Sequence, residues 1–361
     1  MYETEVKSNL MNIATIWSVL FFLAAMGLIL YTSKSKVITI SDVAQDEVQN
    51  EVQNNATEEA QNAKQQENVL TFVIGEANTN YLRIPLPEGC KAENVAIENH
   101  YMDQELYVQI AGAEDLFYST NAISGNRNNI MQGTYETIPE GVRLRFALNG
   151  IFEYRTILEN NDLYISFLSP REMYDQIVVI DPACGGPNAG YVADELQEKE
   201  VNLQIAKKLK EKLDKTGIKA YYTRMDDVNP SEEDRIRLAN ETKADMYIRI
   251  QTDANDDTGL YGTTALYNGN YFIPGFGGVE LADYLEREVV TAVKGKALGL
   301  AEATAEDYAL LHITIPAAVI KTGCISNKQE ATLLGREEYQ DKIATGIYNA
   351  IMSAYEEKIG K

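Results

Sequence analysis

The stretch Ile177-Val-Val-Ile-Asp-Pro-Ala-Cys-Gly-Gly186 is an apolar run that stops at Asp181 and Pro182, then opens into a turn carrying a thiol, Cys184. In α/β domains, side chains at such a strand end converge on the crevice beyond the carboxyl ends of a parallel sheet, where ligands bind. A thiol there could act as a nucleophile or a metal ligand, and both roles require the thiolate. A nucleophile also needs a base within hydrogen-bond reach. The chain has only two histidines, His100 and His312, and no catalytic histidine is evident, so Cys184 reads as an inert thiol. Three cysteines, Cys90, Cys184 and Cys324, are too few and too scattered for a disulfide framework, and no CxxC metal pattern exists. Spacing leaves open whether Cys184 and Cys324 come close.

The elements that must position this turn alternate strand and helix from residue 175 to 358. IVVID is followed by EKEVNLQIAKKLKEKLDKTG, whose apolar residues recur at helical spacing and whose Gly217 is a stop. Next come the strand IKAYYT, the helix SEEDRIRLANETK with Ser231 as N-cap, and the strands ADMYIRI and YGTTALY. The helix VELADYLEREVVTAV, the strand PAAVIKT and the closing helix YQDKIATGIYNAIMSAY complete the pattern. This predicts an α/β sheet covered by helices on both faces. Residues 69–170 instead carry short alternating runs between turn residues, among them LTFVIG, NVAIEN, ELYVQI, VRLRFAL and DLYISFL, which predict a small all-β, sandwich-like domain. Its tyrosines and phenylalanines read as core and cross-strand pairs rather than a ligand platform.

Upstream, residues 32–68 form an acidic polar stalk too poor in large apolar side chains to bury a core. Residues 11–31, MNIATIWSVLFFLAAMGLILY, are uncharged, apolar and as long as a membrane-crossing helix, behind a short leader of residues 1–10. The expectation is a single-pass cell-membrane protein with extracytoplasmic folded domains. Lys7 before the span and Lys34 and Lys36 after it leave the orientation undecided by charge. A formal charge of −22 argues against nucleic acid as a partner, since phosphate binding needs clustered Lys and Arg.

The ordered motifs over 177–356 resemble one family: a strand ending in DPxxGG, the helix start EKxVNL, TR, ExRxxxAN, a strand opened by AD, and PAxxxxxGxISN. They are similar to the zinc-dependent type 3 N-acetylmuramoyl-L-alanine amidases. The resemblance implies a zinc ion whose three ligand positions are Cys184, Glu198 and Gln251 here, and a catalytic glutamate position held by Lys321. Of the four, only Glu198 keeps the family residue, and Ala183 replaces the glycine before the first ligand. In such sites neutral imidazoles and a carboxylate leave one metal position open for water, and a second carboxylate moves the proton. A glutamine carbonyl is a poor zinc ligand, and an ammonium both repels a divalent cation and cannot accept a proton. The expectation is a pseudoenzyme that carries no cofactor and binds peptidoglycan or a cell-envelope protein. Glu198 and Lys321 are expected to pair across the former metal site. The alternative is an active peptidoglycan amidase with zinc in an altered Cys/Glu/Gln site. Arg224 and Arg235 also match family positions and read as structural anchors acting through carboxylates.

Overall fold

The computed structural model describes residues 68–73 and 79–356. The apolar run 11–31, the leader and the stalk up to residue 67 lie outside the described residues, and with them the expected anchor. Among the described residues no helix is long and apolar enough to cross a membrane.

Among the described residues, nine strands precede the run IVVID: β1 (Asn68–Val69), β2 (Leu82–Pro85), β3 (Val95–His100), β4 (Glu105–Ala111), β5 (Ser124–Gly125), β6 (Ile130–Ile138), β7 (Gly141–Leu148), β8 (Glu153–Glu159) and β9 (Asp162–Leu168). They form two antiparallel sheets, ordered β1-β6-β7-β4-β3 and β5-β2-β9-β8. Alternation along β7 explains the layering. Val142, Leu144, Phe146 and Leu148 are buried, while Arg143 and Arg145 between them face outward. The inward residues of both sheets meet in one core that includes Leu82, Ile84, Val108, Phe146 and Ile165. Each such aliphatic side chain contributes about 1.5–3 kcal/mol on full burial. Of LTFVIG, residues 70–73 are described: β1 ends just before them at Val69, and Phe72 makes an isolated bridge to Ile123.

Two short helices, α1 (Phe117–Thr120) and α2 (Pro170–Met173), belong to this part of the chain. The second part holds a six-stranded sheet built from β10 (Ile177–Pro182), β13 (Lys219–Tyr222), β14 (Met246–Asp253), β15 (Thr263–Tyr267), β16 (Ala297–Glu302) and β17 (Ala317–Cys324). A small hairpin, β11 (Val192–Ala193) with β12 (Leu196–Gln197), stands apart. The sheet order is β13-β10-β14-β17-β15-β16, parallel throughout except that β15 runs antiparallel to β17. Every residue of β10 is buried, because both faces of the sheet are covered. Val178 and Ile180 face the core formed with α3 (Glu198–Leu213), α5 (Gly278–Val293) and α8 (Glu337–Ala354). Ile177 and Val179 face the core formed with α4 (Glu232–Glu241) and α6 (Tyr308–His312). The remaining helix, α7 (Lys328–Leu334), follows β17. Helices therefore lie on both faces. Ser231 caps α4 as its sequence suggests, accepting a hydrogen bond from the Asp234 amide at 3.1 Å.

The sandwich closes the free edge of this sheet. At the β3–β4 turn, the Tyr101 hydroxyl donates to the Tyr222 carbonyl at 3.0 Å and accepts from the Tyr222 amide at 3.1 Å. It thereby satisfies both outward backbone groups of one residue on edge strand β13, groups that would otherwise invite strand pairing. Below it Tyr221 donates its hydroxyl to Glu153 at 2.5 Å, and Lys219 pairs with the same carboxylate at 3.0 Å.

Candidate functional site

At the carboxyl end of β10, Asp181 is fully buried and surrounded by donors. Thr223 donates to it at 2.5 Å, Tyr247 and Arg235 bond it closely, and Arg249 stands 3.5 Å away. Burial alone would raise the Asp181 pKa, but the charges of Arg235 and Arg249, with the two hydroxyls, hold it below the usual carboxylate range. Arg235 is buried with it and donates further to Asn229 at 3.0 Å. Arg224 acts through carbonyls rather than carboxylates, donating to Pro182 at 2.9 Å, Ala183 at 3.0 Å and Lys199 at 2.9 Å. Both arginines therefore brace the strand end and the turn beyond it.

The turn is fixed from its other side as well. Asp227 accepts from the Gly186 amide at 2.7 Å and from the Lys199 ammonium at 2.6 Å, and Lys199 also donates to the Gly186 carbonyl at 2.9 Å. Within this frame Cys184 is held at φ 65°, a left-handed conformation that costs a non-glycine residue about 1–2 kcal/mol. Glu198 begins α3 and is 6 % exposed. Gly190, at φ 67°, lies against both. A Cβ at that position would stand 2.5 Å from Glu198 Oε2 and 2.9 Å from Cys184 Sγ, so only glycine admits the approach. The first two ligand positions are thus brought together.

The other two positions meet through the sheet. β14 and β17 are parallel neighbours with Gln251 opposite Lys321. The expected ion pair between Glu198 and Lys321 is not formed. Lys321 Nζ instead donates to Asp253 Oδ1 at 2.9 Å. Asp253 shares a face of β14 with Gln251, and the register shift between the two, which sets Asp253 opposite Cys324 on β17, leaves its carboxylate within reach of Lys321. Glu198 accepts from the Tyr191 amide at 2.9 Å through Oε2, while Oε1 is buried with no hydrogen-bond partner. Burial raises the Glu198 pKa and the Asp253 charge adds to it, against the Tyr191 amide and the Lys321 charge.

These donors do not fit zinc. Cys184 would have to bind as the thiolate, and in the metal-free site burial, then the Glu198 charge, pushes it up to about 11. Gln251 offers a neutral amide, and Lys321 brings a cation to the same strands. Among the described residues no group of three or more His, Cys, Asp or Glu side chains is arranged to hold a metal ion. His100 contacts Glu98 at 3.0 Å and His312 contacts the Tyr308 carbonyl at 2.8 Å, so neither histidine repairs the set. Cys90, Cys184 and Cys324 are all free thiols.

Asp253 and Tyr247 escape the motif comparison, since neither falls on a matched position. The alternation in MYIRIQTD could have found them: counting by twos from Tyr247 places Arg249, Gln251 and Asp253 on the same strand face.

Fold and site together define an α/β protein whose candidate site lies at the carboxyl ends of its central strands. Residues 178–353 match the family model described as N-acetylmuramoyl-L-alanine amidase. The germination-specific N-acetylmuramoyl-L-alanine amidase of Bacillus subtilis (strain 168) is 30% identical over 224 residues, covering 58% of this chain and 91% of that protein. The N-acetylmuramoyl-L-alanine amidase LytC of the same organism is 28% identical over 180 residues, 50% of this chain but only 36% of its own length. The crystal structure of an N-acetylmuramoyl-L-alanine amidase from Clostridium difficile 630 is similar at 32% identity, covering 50% of this chain and 97% of that one, with a TM-score of 0.47. The chain belongs to the N-acetylmuramoyl-L-alanine amidase family.

Proposed function

We propose that this protein is a pseudoenzyme of the cell-wall amidase family, which binds peptidoglycan without cleaving it. Its folded part works outside the cell, tethered to the membrane by residues 11–31. The observation that carries the reading is the Lys321–Asp253 pair at 2.9 Å, formed at the position where the resemblance places the catalytic glutamate. The pair puts a lysine ammonium, already bound to a carboxylate, where a proton acceptor is needed, and an ammonium has no lone pair with which to take a proton from an attacking water. The Gln251 amide and the neighbouring cation support the same reading, because a neutral amide is a poor zinc ligand and an ammonium repels a divalent ion.

The test measures the metal content of the purified full chain and its release of stem peptide from peptidoglycan, beside its retention on purified sacculi. The expected result is retention with neither zinc nor release. One metal ion per chain accompanied by turnover would replace this reading with the alternative, an active amidase with an altered zinc site. Absence of retention would move the partner from glycan to a cell-envelope protein.

A further inference from the structure

The sequence reads the tyrosines of the sandwich as core, yet two of them leave it. Tyr81, just before β2, and Tyr164, in β9, meet edge to face with ring centroids 5.0 Å apart. Both line a groove of about 720 Å³ on the four-stranded sheet, together with Asn80, Asn126, Asn129 and Arg155. That volume lies within the range of small-ligand sites.

The groove is built rather than incidental. Gly125, at φ 95°, presses so closely on Tyr81 that a Cβ would stand 2.3 Å from the Tyr81 carbonyl oxygen. The next residue, Asn126, donates its amide to the same oxygen at 2.8 Å, which sets its side chain beside the tyrosine. Asn126 Oδ1 accepts from the Asn128 amide at 2.9 Å, so its carboxamide is oriented with the NH2 group left for a ligand. On the neighbouring strand β8, Arg155 is exposed and makes no ion pair among the described residues. Ile157, opposite Tyr164 in the sheet register, is 55 % exposed and extends the apolar floor.

Aromatic rings beside carboxamides match the chemistry of N-acetylated pyranoses. The C–H face of such a sugar packs on an aromatic ring, and its acetamido and hydroxyl groups exchange hydrogen bonds with asparagine. A chain with a formal charge of −22 repels anionic polymers in bulk, so the groove has to hold its ligand through local contacts, the sugar faces on the rings and a carboxylate on Arg155. Two carboxylates also line the groove: Glu172, which accepts from the Ser169 amide and hydroxyl at 2.7 Å, and the exposed Glu159; the Arg155 guanidinium is the fork there that a ligand carboxylate would take.

We propose that this groove binds the glycan strand of peptidoglycan, with Arg155 taking the lactyl carboxylate of a muramoyl residue from which the stem peptide has been removed. The ligand is then the product of the amide cleavage for which the chain's relatives are named. The proposal rests on the peptidoglycan-binding reading above and assigns that binding to the sandwich instead of the cleft.

Calorimetric titration of the purified full chain tests it, using two probes. One is a tetrasaccharide of alternating N-acetylglucosamine and N-acetylmuramic acid with free lactyl carboxylates; the other is an N-acetylglucosamine tetramer without carboxylates. Both bind, the first more tightly. Tyr81→Ala with Tyr164→Ala weakens both at least ten-fold, whereas Arg155→Gln removes only the preference for the muramic acid probe. Because Arg155 is exposed, its variant keeps the test decisive if the tyrosine variants fail to fold. Unchanged titrations in Arg155→Gln and in the tyrosine variants would overturn the groove assignment. If Lys321→Gln weakens binding in their place, peptidoglycan binding survives and belongs to the cleft. If neither probe binds and sacculi do not retain the chain, the groove and the reading beneath it both fall.

Discussion

Replacing Asp181 by asparagine keeps the shape of the side chain and removes its charge. In the native protein that charge is fully buried and faces Arg235, which is buried with it, and Arg249 at 3.5 Å. The variant leaves two guanidinium groups around a neutral amide, one of them shut away from water. Breaking a buried pair by removing one partner costs about 3–5 kcal/mol, a large part of the roughly 5–15 kcal/mol that holds a typical domain folded. The midpoint of thermal unfolding should fall by roughly 6–20 °C for a unit of this size. The loss is also pH-dependent. Asp181 has its folded pKa held below the ordinary carboxylate range, so its contribution is complete above about pH 4 and disappears as pH falls through the folded value. The gap between wild type and Asp181→Asn should therefore stay constant from neutral pH to about pH 5 and narrow only as pH falls below the unfolded carboxylate value of about 3.9 and through the lower folded one. Far-UV circular dichroism during urea and thermal unfolding at several pH values measures it. A gap under about 1 kcal/mol at pH 7 would refute the claim that this network fixes the strand end.

Four further outcomes follow from the same geometry. Gly190→Ala should destabilise by at least about 1–2 kcal/mol, because φ 67° and the Glu198 and Cys184 contacts both oppose a Cβ; urea unfolding reads it. Lys321→Gln, which leaves Asp253 without its cation in a partly exposed setting, should cost about 1 kcal/mol and cost less in high salt, as urea midpoints at two salt concentrations will reveal. Cys184, pushed up to about 11, should alkylate slowly at pH 8 and accelerate only in strongly alkaline buffer, followed by mass spectrometry of the labelled peptide. Tyr101→Phe removes two hydrogen bonds to the Tyr222 backbone and should cost about 1–3 kcal/mol while raising amide exchange along β13.

Periodicity carried the strands and helices that are buried deeply enough to need a regular pattern. The run IVVID reads as a strand because both its faces are covered, and VRLRFAL because only one is. Elements under weaker constraint escaped. The edge strand β16, ALGLAE, has no fully buried residue and contains Gly299 at φ 93°, so neither alternation nor apolar continuity marks it. The helix α7 has only seven residues and is held largely by its N-cap Asn327, whose side chain accepts from the Gln329 and Glu330 amides. At the site, motif order singled out Cys184, Glu198, Gln251 and Lys321, but not their pairing. A lysine side chain reaches several carboxylates, and which one it meets depends on strand register, here Gln251 opposite Lys321 with Asp253 two residues on. The outward tyrosines Tyr81 and Tyr164 were unreadable for a related reason, since aromatic residues on strands serve the inner and outer faces of a sheet alike.

The central claim is that the amidase architecture persists while its chemistry has been removed. The most direct measurement compares zinc content and stem-peptide release in the native chain and in the triple variant Cys184→His, Gln251→His, Lys321→Glu. The account predicts neither zinc nor release for the native protein and a gain of both in the variant. Stoichiometric zinc and cleavage of peptidoglycan by the unmodified chain would contradict it.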